Sequence, residues 1–172
     1  MPGAAHLVKR FVGSLRPGGP ASTEETWVSD LLLAAEHDLW RSMSGPDRRH
    51  AAGVARRVER RLGAEAVRPV LAAALLHDVG KVSAGLGTYG RVIATLSAKA
   101  AGRDMSTTWR KQRGFARKVG LYLEHDRIGG DLLELAGSDA LTVAWAREHH
   151  QPEETWSVPR PIAVALKAAD DD

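Results

Sequence analysis

Residues 71–81, with the sequence LAAALLHDVGK, constrain the fold more than any other part of this 172-residue chain. Their small and aliphatic side chains predict a helix that is apolar on every side, and such a helix is normally buried in a core. The helix ends at His77 and Asp78. Because an imidazole and a carboxylate in apolar surroundings need a partner, the pair indicates a divalent cation. Adjacent helical residues point about 100° apart, so Asp78 could bridge to a second ion.

A second His-Asp pair, His37-Asp38, serves as an internal control. It lies in the middle of the predicted helix AAEHDLWRSM and lacks the Gly and Lys that follow Asp78, so we interpret it as structural. A functional site at His77-Asp78 requires further ligands from separate helices. Candidate ligands do occur at the ends of other apolar runs: His50, His125, His149, His150 and Asp170.

Hydrophobic periodicity predicts an all-α fold, because no segment alternates long enough to build a sheet. Residues 1–20 are rich in Gly and Pro and are expected to form a flexible N-terminal segment, followed by a single helical domain over residues 21–172. A capping box of Ser22 and Glu25 is expected to open the first helix. The predicted helices cover residues 22–43, 47–62, 65–78, 114–123, 131–136, 140–150 and 159–170.

The absence of cysteine limits the chemistry of a metal site. Any ion must be held by histidine and carboxylate, which favours Mn, Fe, Mg or Zn. No apolar run approaches the roughly 20 residues of a membrane span, and the N-terminal apolar stretch is too short for a secretory signal. We therefore expect a cytoplasmic protein without a membrane partner.

Basic residues form two clusters despite a net charge of only +3. In the first cluster, the run from Arg56 to Arg61 is expected to be a solvated helix face. The second cluster could attract a phosphate-bearing ligand, and consists of Arg103, Arg110, Lys111, Arg113, Arg117 and Lys118. Nucleic acid is not favoured as a partner, because there is no recognition motif and aromatic residues are few. A GxGxxG pattern at residues 85–90 follows no strand, so a dinucleotide-binding loop is rejected.

The order His, His-Asp, His, His-His, Asp over residues 47–171 resembles the HD-domain superfamily of metal-dependent phosphohydrolases. The segments that carry it are RHAAGVARRV, ALLHDVGK, HDRIGGDLLELAG, AREHHQPE and ALKAAD. The resemblance implies an HD-type helical bundle with a metal site between its helices. One divalent ion would be held by His50, His77, Asp78 and Asp170, with Asp171 or Asp172 as alternatives to Asp170. Asp78 would bridge to a second ion, held by His125 and by His149 or His150.

The resemblance implies a phosphohydrolase or phosphodiesterase that acts on a nucleotide or related phosphate ester by means of a metal-activated water. Asp78 and Lys81 are the implied catalytic residues, and the ammonium of Lys81 could neutralise charge on phosphoryl oxygens. Arg110 and Arg113 are expected to bind the substrate. The chain reads QPEETWSVPRP after its paired histidines, without the Gly-Tyr-Pro signature of HD-GYP cyclic-dinucleotide phosphodiesterases, so that specificity is not expected.

Two other functions are compatible with the same residues. One is a non-catalytic HD module that senses a nucleotide or docks a partner. The other is a di-iron oxygenase on the same scaffold, because a His and carboxylate site also suits iron. No feature of the sequence indicates an oligomeric state.

Overall fold

The computed structural model describes residues 18–86, 90, 94 and 106–172, and all regular elements among them are helical. The predicted all-α class is confirmed. Residues 1–17 of the predicted N-terminal segment lie outside the described residues, as do Gly87 and Arg103, and the single domain stays a prediction. The helices are α1 (Ser22–Leu31), α2 (Ala34–Ser42), α3 (Gly45–Leu62), α4 (Arg68–Leu76), α5 (Ser106–Arg110), α6 (Gly114–Leu123), α7 (His125–Leu135), α8 (Ala140–Glu148) and α9 (Arg160–Asp171).

Helix α4 is the central element of the core. All residues from Val70 to Leu76 are buried, and the helix packs against α3 and α8 on its main contact faces and also against α1, α2 and α9. The larger core cluster includes Trp40 of α2, Trp145 of α8 and Leu166 of α9. Burial on every side is the expected result of a helix that carries no polar stripe.

Helix α4 is shorter at both ends than the predicted helix over residues 65–78. Gly63 ends α3 with φ +53°, a conformation that favours glycine, and a 3₁₀ turn follows over Gly63–Glu65. Pro69 lies in the first turn of α4, where its missing N–H costs nothing. Beyond α4, His77 is the C-cap residue, and Asp78 opens a 3₁₀ turn over Val79–Ala84. The His-Asp pair therefore lies at a junction between two helices.

The prediction of one helix over residues 22–43 is wrong. The backbone is extended at Leu32 and Leu33, which separates α1 from α2. The buried carboxylate of Glu36 accepts a hydrogen bond from the Leu33 N–H at 2.9 Å and pairs with Arg68 at 3.0 Å. Because Arg68 is distant in sequence, the periodicity of residues 22–43 does not reveal this break.

The predicted capping box at Ser22 is also wrong. Ala21 is the N-cap residue of α1, and it makes no side-chain cap hydrogen bond. Glu25 instead pairs with Arg48 at 3.2 Å and accepts a hydrogen bond from the Trp40 indole at 3.3 Å. The tertiary partners of Glu25 thus replace the local contact expected from the sequence.

Glycines in α7 serve close packing. The predicted helix over residues 131–136 is too short, since α7 begins at His125 and includes Gly129 and Gly130. A Cβ atom on Gly129 would lie 3.2 Å from the Gly80 nitrogen, and one on Gly130 would lie 2.4 Å from the Arg147 side chain. The two glycines therefore allow neighbouring elements to approach α7 without interrupting the helix.

A smaller apolar cluster packs separately from the main core and includes Ala84, Leu86 and Val119. Helix α6, whose predicted range of residues 114–123 is confirmed, contributes Val119 and packs against α5. Within the described ranges, we find no helix whose length and apolar character would suit it to crossing a bilayer.

Candidate metal centre

The structure brings together all seven metal-ligand candidates predicted from the sequence. They come from α3, from the ends of α4 and α8, and from α7 and α9. Their ligand atoms form two groups, each with all atoms within 4.8 Å of one another. We call them the His125 group, which contains Asp78, His125, His149 and His150, and the His50 group, which contains His50, His77 and Asp170. The control pair on α2, a half-buried His37 and an exposed Asp38, belongs to neither group.

Three buried histidines share one hydrogen-bonding pattern. The Nδ1 atoms of His77, His125 and His149 lie 3.0, 2.6 and 3.0 Å from backbone carbonyl oxygens one turn earlier. Because a carbonyl oxygen only accepts, each Nδ1 carries a hydrogen. The opposite atoms, Nε2, are buried and have no hydrogen-bond partner. This arrangement fixes each ring so that Nε2 is directed into the site, as in histidines that bind metal ions.

Asp78 lies between the two groups and faces each with a different oxygen. Its Oδ1 is 3.4 Å from Nε2 of His125 and 3.7 Å from Nε2 of His149. Its Oδ2 is 3.5 Å from Nε2 of His77. Ligand atoms that share one ion at about 2.1 Å lie about 3 to 3.5 Å apart, which is close to these spacings. The two oxygens of the Asp78 carboxylate therefore face the two groups at ligand-like spacing.

Asp170 completes the His50 group. Its Oδ1 lies 2.9 Å from Nε2 of His50 and 3.6 Å from Nε2 of His77. The two sequence alternatives are engaged elsewhere, since Asp171 pairs with Lys167 at 3.1 Å and Asp172 pairs with Arg61 at 2.7 Å. Of the three consecutive aspartates, Asp170 is the one that the structure places in the site.

The charges of the site are strongly coupled. Burial opposes the protonation of His77, but the carboxylates of Asp78 and Asp170 outweigh it and raise the pKa of His77 to about 10. Burial likewise opposes the ionisation of Asp78, yet Lys81 and His77 hold the pKa of Asp78 well below its usual range. Burial, together with the charge of His77, lowers the pKa of His149. The two carboxylates thus attract positive charge to Nε2 of His77, the atom that faces the site.

Lys81 lies one 3₁₀ turn after Asp78, and its ammonium pairs with Oδ2 of that carboxylate. The Lys81 side chain is only 11 % exposed. Its position brings a positive charge to the edge of the site, next to the Asp78 carboxylate. The catalytic role expected of Lys81 from the sequence stays a prediction.

The consecutive histidines differ in their surroundings. His149 is buried, whereas His150 is exposed as a residue although its ring packs 4.0 Å from that of His149 and 5.2 Å from that of His125. Loss of solvent around the ring, and then the charge of His149 and His125, lowers the pKa of His150. Both histidines have a nitrogen near Asp78. His149 is the enclosed member of the pair, and His150 lies at the boundary with solvent.

The turn after α8 is held by the side chain of Glu148. Its carboxylate accepts hydrogen bonds from the Ser157 N–H at 2.7 Å and from the Ser157 hydroxyl at 2.5 Å. The indole of Trp156 donates to the Glu148 carbonyl at 3.0 Å. These contacts hold the loop that follows His149 and His150 against the end of α8. They therefore stabilise the backbone next to the two histidines.

An open cleft of about 630 Å³ reaches the candidate metal centre at His150. Its lining is largely polar and includes Ser106, Thr107, Arg110, Glu124, Arg127 and Gln151. The guanidinium groups of Arg110 and Arg127 both contact Oε2 of Glu124, at 3.0 and 2.9 Å. The cleft thus contains two guanidinium groups and several hydrogen-bonding groups next to the candidate metal ligands.

The two arginines predicted to bind substrate are in different positions. Arg110, at the end of α5, lines the cleft. Arg113 is the exposed N-cap residue of α6 and is not part of the cleft lining. The structure therefore places Arg110, and not Arg113, next to the candidate site.

The donor set fits divalent cations. The site contains buried imidazole nitrogens without partners, aspartate oxygens at ligand-like spacing, and no thiolate. Imidazole and carboxylate together suit Mn, Fe or Zn, whereas Mg prefers a shell of oxygen atoms. The His50 and His125 groups could each hold an ion, with Asp78 between them.

Comparison of the chain with protein-family models, with curated proteins and with solved structures finds no match. The resemblance to the HD superfamily accordingly depends on the spaced motifs in the chain itself, and it stays a prediction.

Sequence reasoning did not find several residues that shape the site. Glu124 and Arg127 lie close to His125 in sequence. Charged residues so near a candidate ligand could have indicated that they line a cleft beside it. Glu148 likewise precedes the paired histidines. No local pattern indicated that Arg57 of α3 contacts the backbone beside Asp170 at 2.8 Å.

Proposed function

We propose that this chain is an HD-type, metal-dependent phosphohydrolase or phosphodiesterase that acts on a nucleotide or related phosphate ester. One observation carries the proposal above the others. Three buried histidines have their Nδ1 atoms bonded to backbone carbonyls and their Nε2 atoms unpartnered, around a carboxylate that faces two ligand groups. Such a buried array of imidazole nitrogens and carboxylates is costly to fold unless positive charge, from a proton or a metal cation, completes it.

In the proposed enzyme, His50, His77 and Asp170 hold one divalent ion, and His125 and His149 hold a second, with Asp78 shared between them. A pair of divalent cations supplies Lewis acidity and lowers the pKa of a bound water. His150 lies where the metal centre meets the cleft, so it either completes the second ligand set or contacts the substrate.

The residues of the chain have separate tasks in this proposal. Asp78 orients the two ligand groups relative to each other, and Lys81 places positive charge near the phosphoryl oxygens of a bound substrate. Arg110 and Arg127 line the cleft that reaches His150. Their contacts with Glu124 are partly exposed, so those ion pairs are weak and can rearrange around an anionic ligand.

The experiment that tests this function begins with elemental analysis of the purified protein. We expect about two Mn or Fe ions per chain, as in two-metal phosphatases, and loss of metal in Asp78→Ala. The matched control is Asp38→Ala, which alters the other His-Asp pair of the chain. It should leave the metal content unchanged, because Asp38 is exposed and belongs to neither ligand group.

Hydrolysis is then measured with p-nitrophenyl phosphate and bis(p-nitrophenyl) phosphate, without oxygen and with added Mn. Turnover by the intact chain and by Asp38→Ala, but not by Asp78→Ala, would support the proposal. A protein that takes up no metal would overturn it. Metal uptake without hydrolysis of these esters or of a nucleotide panel would also overturn it: nucleotide binding alone would favour the sensing module, and oxygen uptake with iron would favour the oxygenase.

A further inference from the structure

Arg57 makes a contact that the proposed chemistry does not use. It lies on α3, two turns after His50, within the run of arginines expected to be a solvated face. Its side chain is half-buried, and its Nε donates a hydrogen bond to the carbonyl oxygen of Ala169 at 2.8 Å. Ala169 directly precedes Asp170. Arg57 therefore fastens the backbone of α9 at the residue next to a candidate ligand.

The end of a helix needs such a contact. The last four carbonyl groups of an α-helix have no donor within the helix, and helix ends fray more readily than helix centres. Helix α9 ends at Asp171, so the Ala169 carbonyl is one of those four. A guanidinium at this position supplies the missing donor and a favourable charge for the negative end of the helix dipole.

Space for the guanidinium is provided by Gly53, one turn earlier on α3. A Cβ atom on Gly53 would lie 3.3 Å from Nη1 of Arg57, which is closer than an ordinary van der Waals contact. A larger side chain at this position would crowd the guanidinium. The absence of a side chain at Gly53 therefore leaves room for the guanidinium of Arg57.

Neighbouring arginines have other partners. Arg56 pairs with Glu24 at 3.1 Å and covers the ring of Trp27 at 3.6 Å. Arg61 pairs with Asp172 at 2.7 Å, but both side chains are substantially exposed. Arg57 differs from Arg56 and Arg61 in that it donates a hydrogen bond to the backbone of α9, within the segment that carries Asp170.

We propose that Arg57 is a positioning residue for the ion of the His50 group: its bond to Ala169 holds Asp170 within reach of His50 and His77. This inference rests on the proposed metal site. It concerns one ion of the two, because the His125 group lies on α7 and at the ends of α4 and α8, and none of these elements receives a bond from Arg57.

The test is a titration of metal-free protein with Mn²⁺, followed by calorimetry. We expect the intact chain to bind two ions, and we expect Arg57→Met to weaken one of them at least tenfold while the other is unchanged. Arg57→Lys keeps a donor and should restore most of the lost affinity. Arg56→Met is the matched control, since it removes a neighbouring cation and should leave both ions in place.

The affected ion is identified with His50→Ala, which removes a ligand of the same group. Adding Arg57→Met to His50→Ala should not weaken the remaining ion any further. If Arg57→Met does not fold, as judged by circular dichroism, Gly53→Leu takes its place, because it crowds the guanidinium while keeping the arginine. Unchanged affinity for both ions in the folded variant would overturn the inference.

Failure of this inference is distinguishable from failure of the proposed function. If the intact chain binds no Mn²⁺, the metal site itself is wrong and the positioning role falls with it. If the intact chain binds two ions and neither Arg57→Met nor Gly53→Leu weakens one of them, only the role of Arg57 is wrong. An equal loss of both ions would also contradict a role restricted to the His50 group.

Discussion

Gly80 approaches His125 so closely that a Cβ atom on Gly80 would lie 1.9 Å from the carbonyl oxygen of His125. The 3₁₀ turn after Asp78 thereby packs directly on the first turn of α7. This contact brings Oδ1 of Asp78 to within 3.4 Å of Nε2 of His125. The glycine of the HDVGK segment is therefore a packing requirement of the candidate metal centre.

Gly80→Ala should disrupt the His125 group. The added methyl group must displace backbone, so we expect a loss of about 1–3 kcal/mol in the free energy of unfolding and a clear loss of affinity for one ion. Urea denaturation and metal titration measure the two effects. Gly129→Ala is the graded control, since its nearest contact would be 3.2 Å, and it should have a smaller effect. Equal metal affinity in Gly80→Ala and the intact chain would contradict this account.

The stability of the metal-free protein should depend on pH through His77. Its pKa is raised from 6.5 to about 10 in the folded state, so folding favours the protonated form. The stabilisation is complete below pH of about 6.5 and is lost as pH rises through about 10. The slope for one proton is at most about 1.4 kcal/mol per pH unit. Urea midpoints measured in EDTA between pH 6 and 10 should fall accordingly.

His77→Gln serves as the control for that experiment, because it cannot take up the proton and should flatten the dependence. Asp78 acts in the opposite range. Its lowered pKa means that its contribution is present above about pH 4 and is lost as pH falls through the folded-state pKa. A midpoint that rises between pH 7 and 10 in the intact chain would contradict the assignment for His77.

Metal binding should release a proton at neutral pH. The carboxylates of Asp78 and Asp170 favour a proton on Nε2 of His77, and a cation at the same atom must displace it. Between pH 6.5 and 10 we therefore expect about one proton per chain to be released at the His50 group, and the affinity to rise about tenfold per pH unit. Calorimetry with Mn²⁺ in two buffers of different ionisation enthalpy measures the release. Heats that do not depend on the buffer would count against it.

Arg110 and Arg113 should contribute unequally to substrate binding. Arg110 lines the cleft beside His150, whereas Arg113 is exposed outside the cleft lining. Arg110→Ala should raise KM for a hydrolysed phosphate ester about 3- to 10-fold, equivalent to about 0.7–1.4 kcal/mol. Arg113→Ala should stay within about twofold of the intact chain. Steady-state kinetics at a fixed Mn²⁺ concentration separates the two variants, and equal effects would mean that general charge, and not the cleft, attracts the substrate.

Local signals determined most of the helical content. The buried helix α4 followed from its unbroken apolar run, α6 from its periodicity, and the end of α3 from Gly63. These features depend on residues within one turn of each other, so they can be read along the chain. The predicted helix over residues 22–43 was wrong because Glu36 accepts a hydrogen bond from the backbone at Leu33 and is itself paired with Arg68, which is distant in sequence.

The candidate ligands could also be named from the sequence, since each is a histidine or aspartate at the end of an apolar run. Tertiary structure decided how they are arranged. Of the three C-terminal aspartates, only Asp170 lies in a ligand group. Arg110 lines the cleft, and Arg113 does not. The two oxygens of Asp78 face different ligand groups. The physical reason is that ligand geometry depends on contacts between helices, such as those at Gly80 and Arg57, and no local pattern along the chain encodes which helices meet.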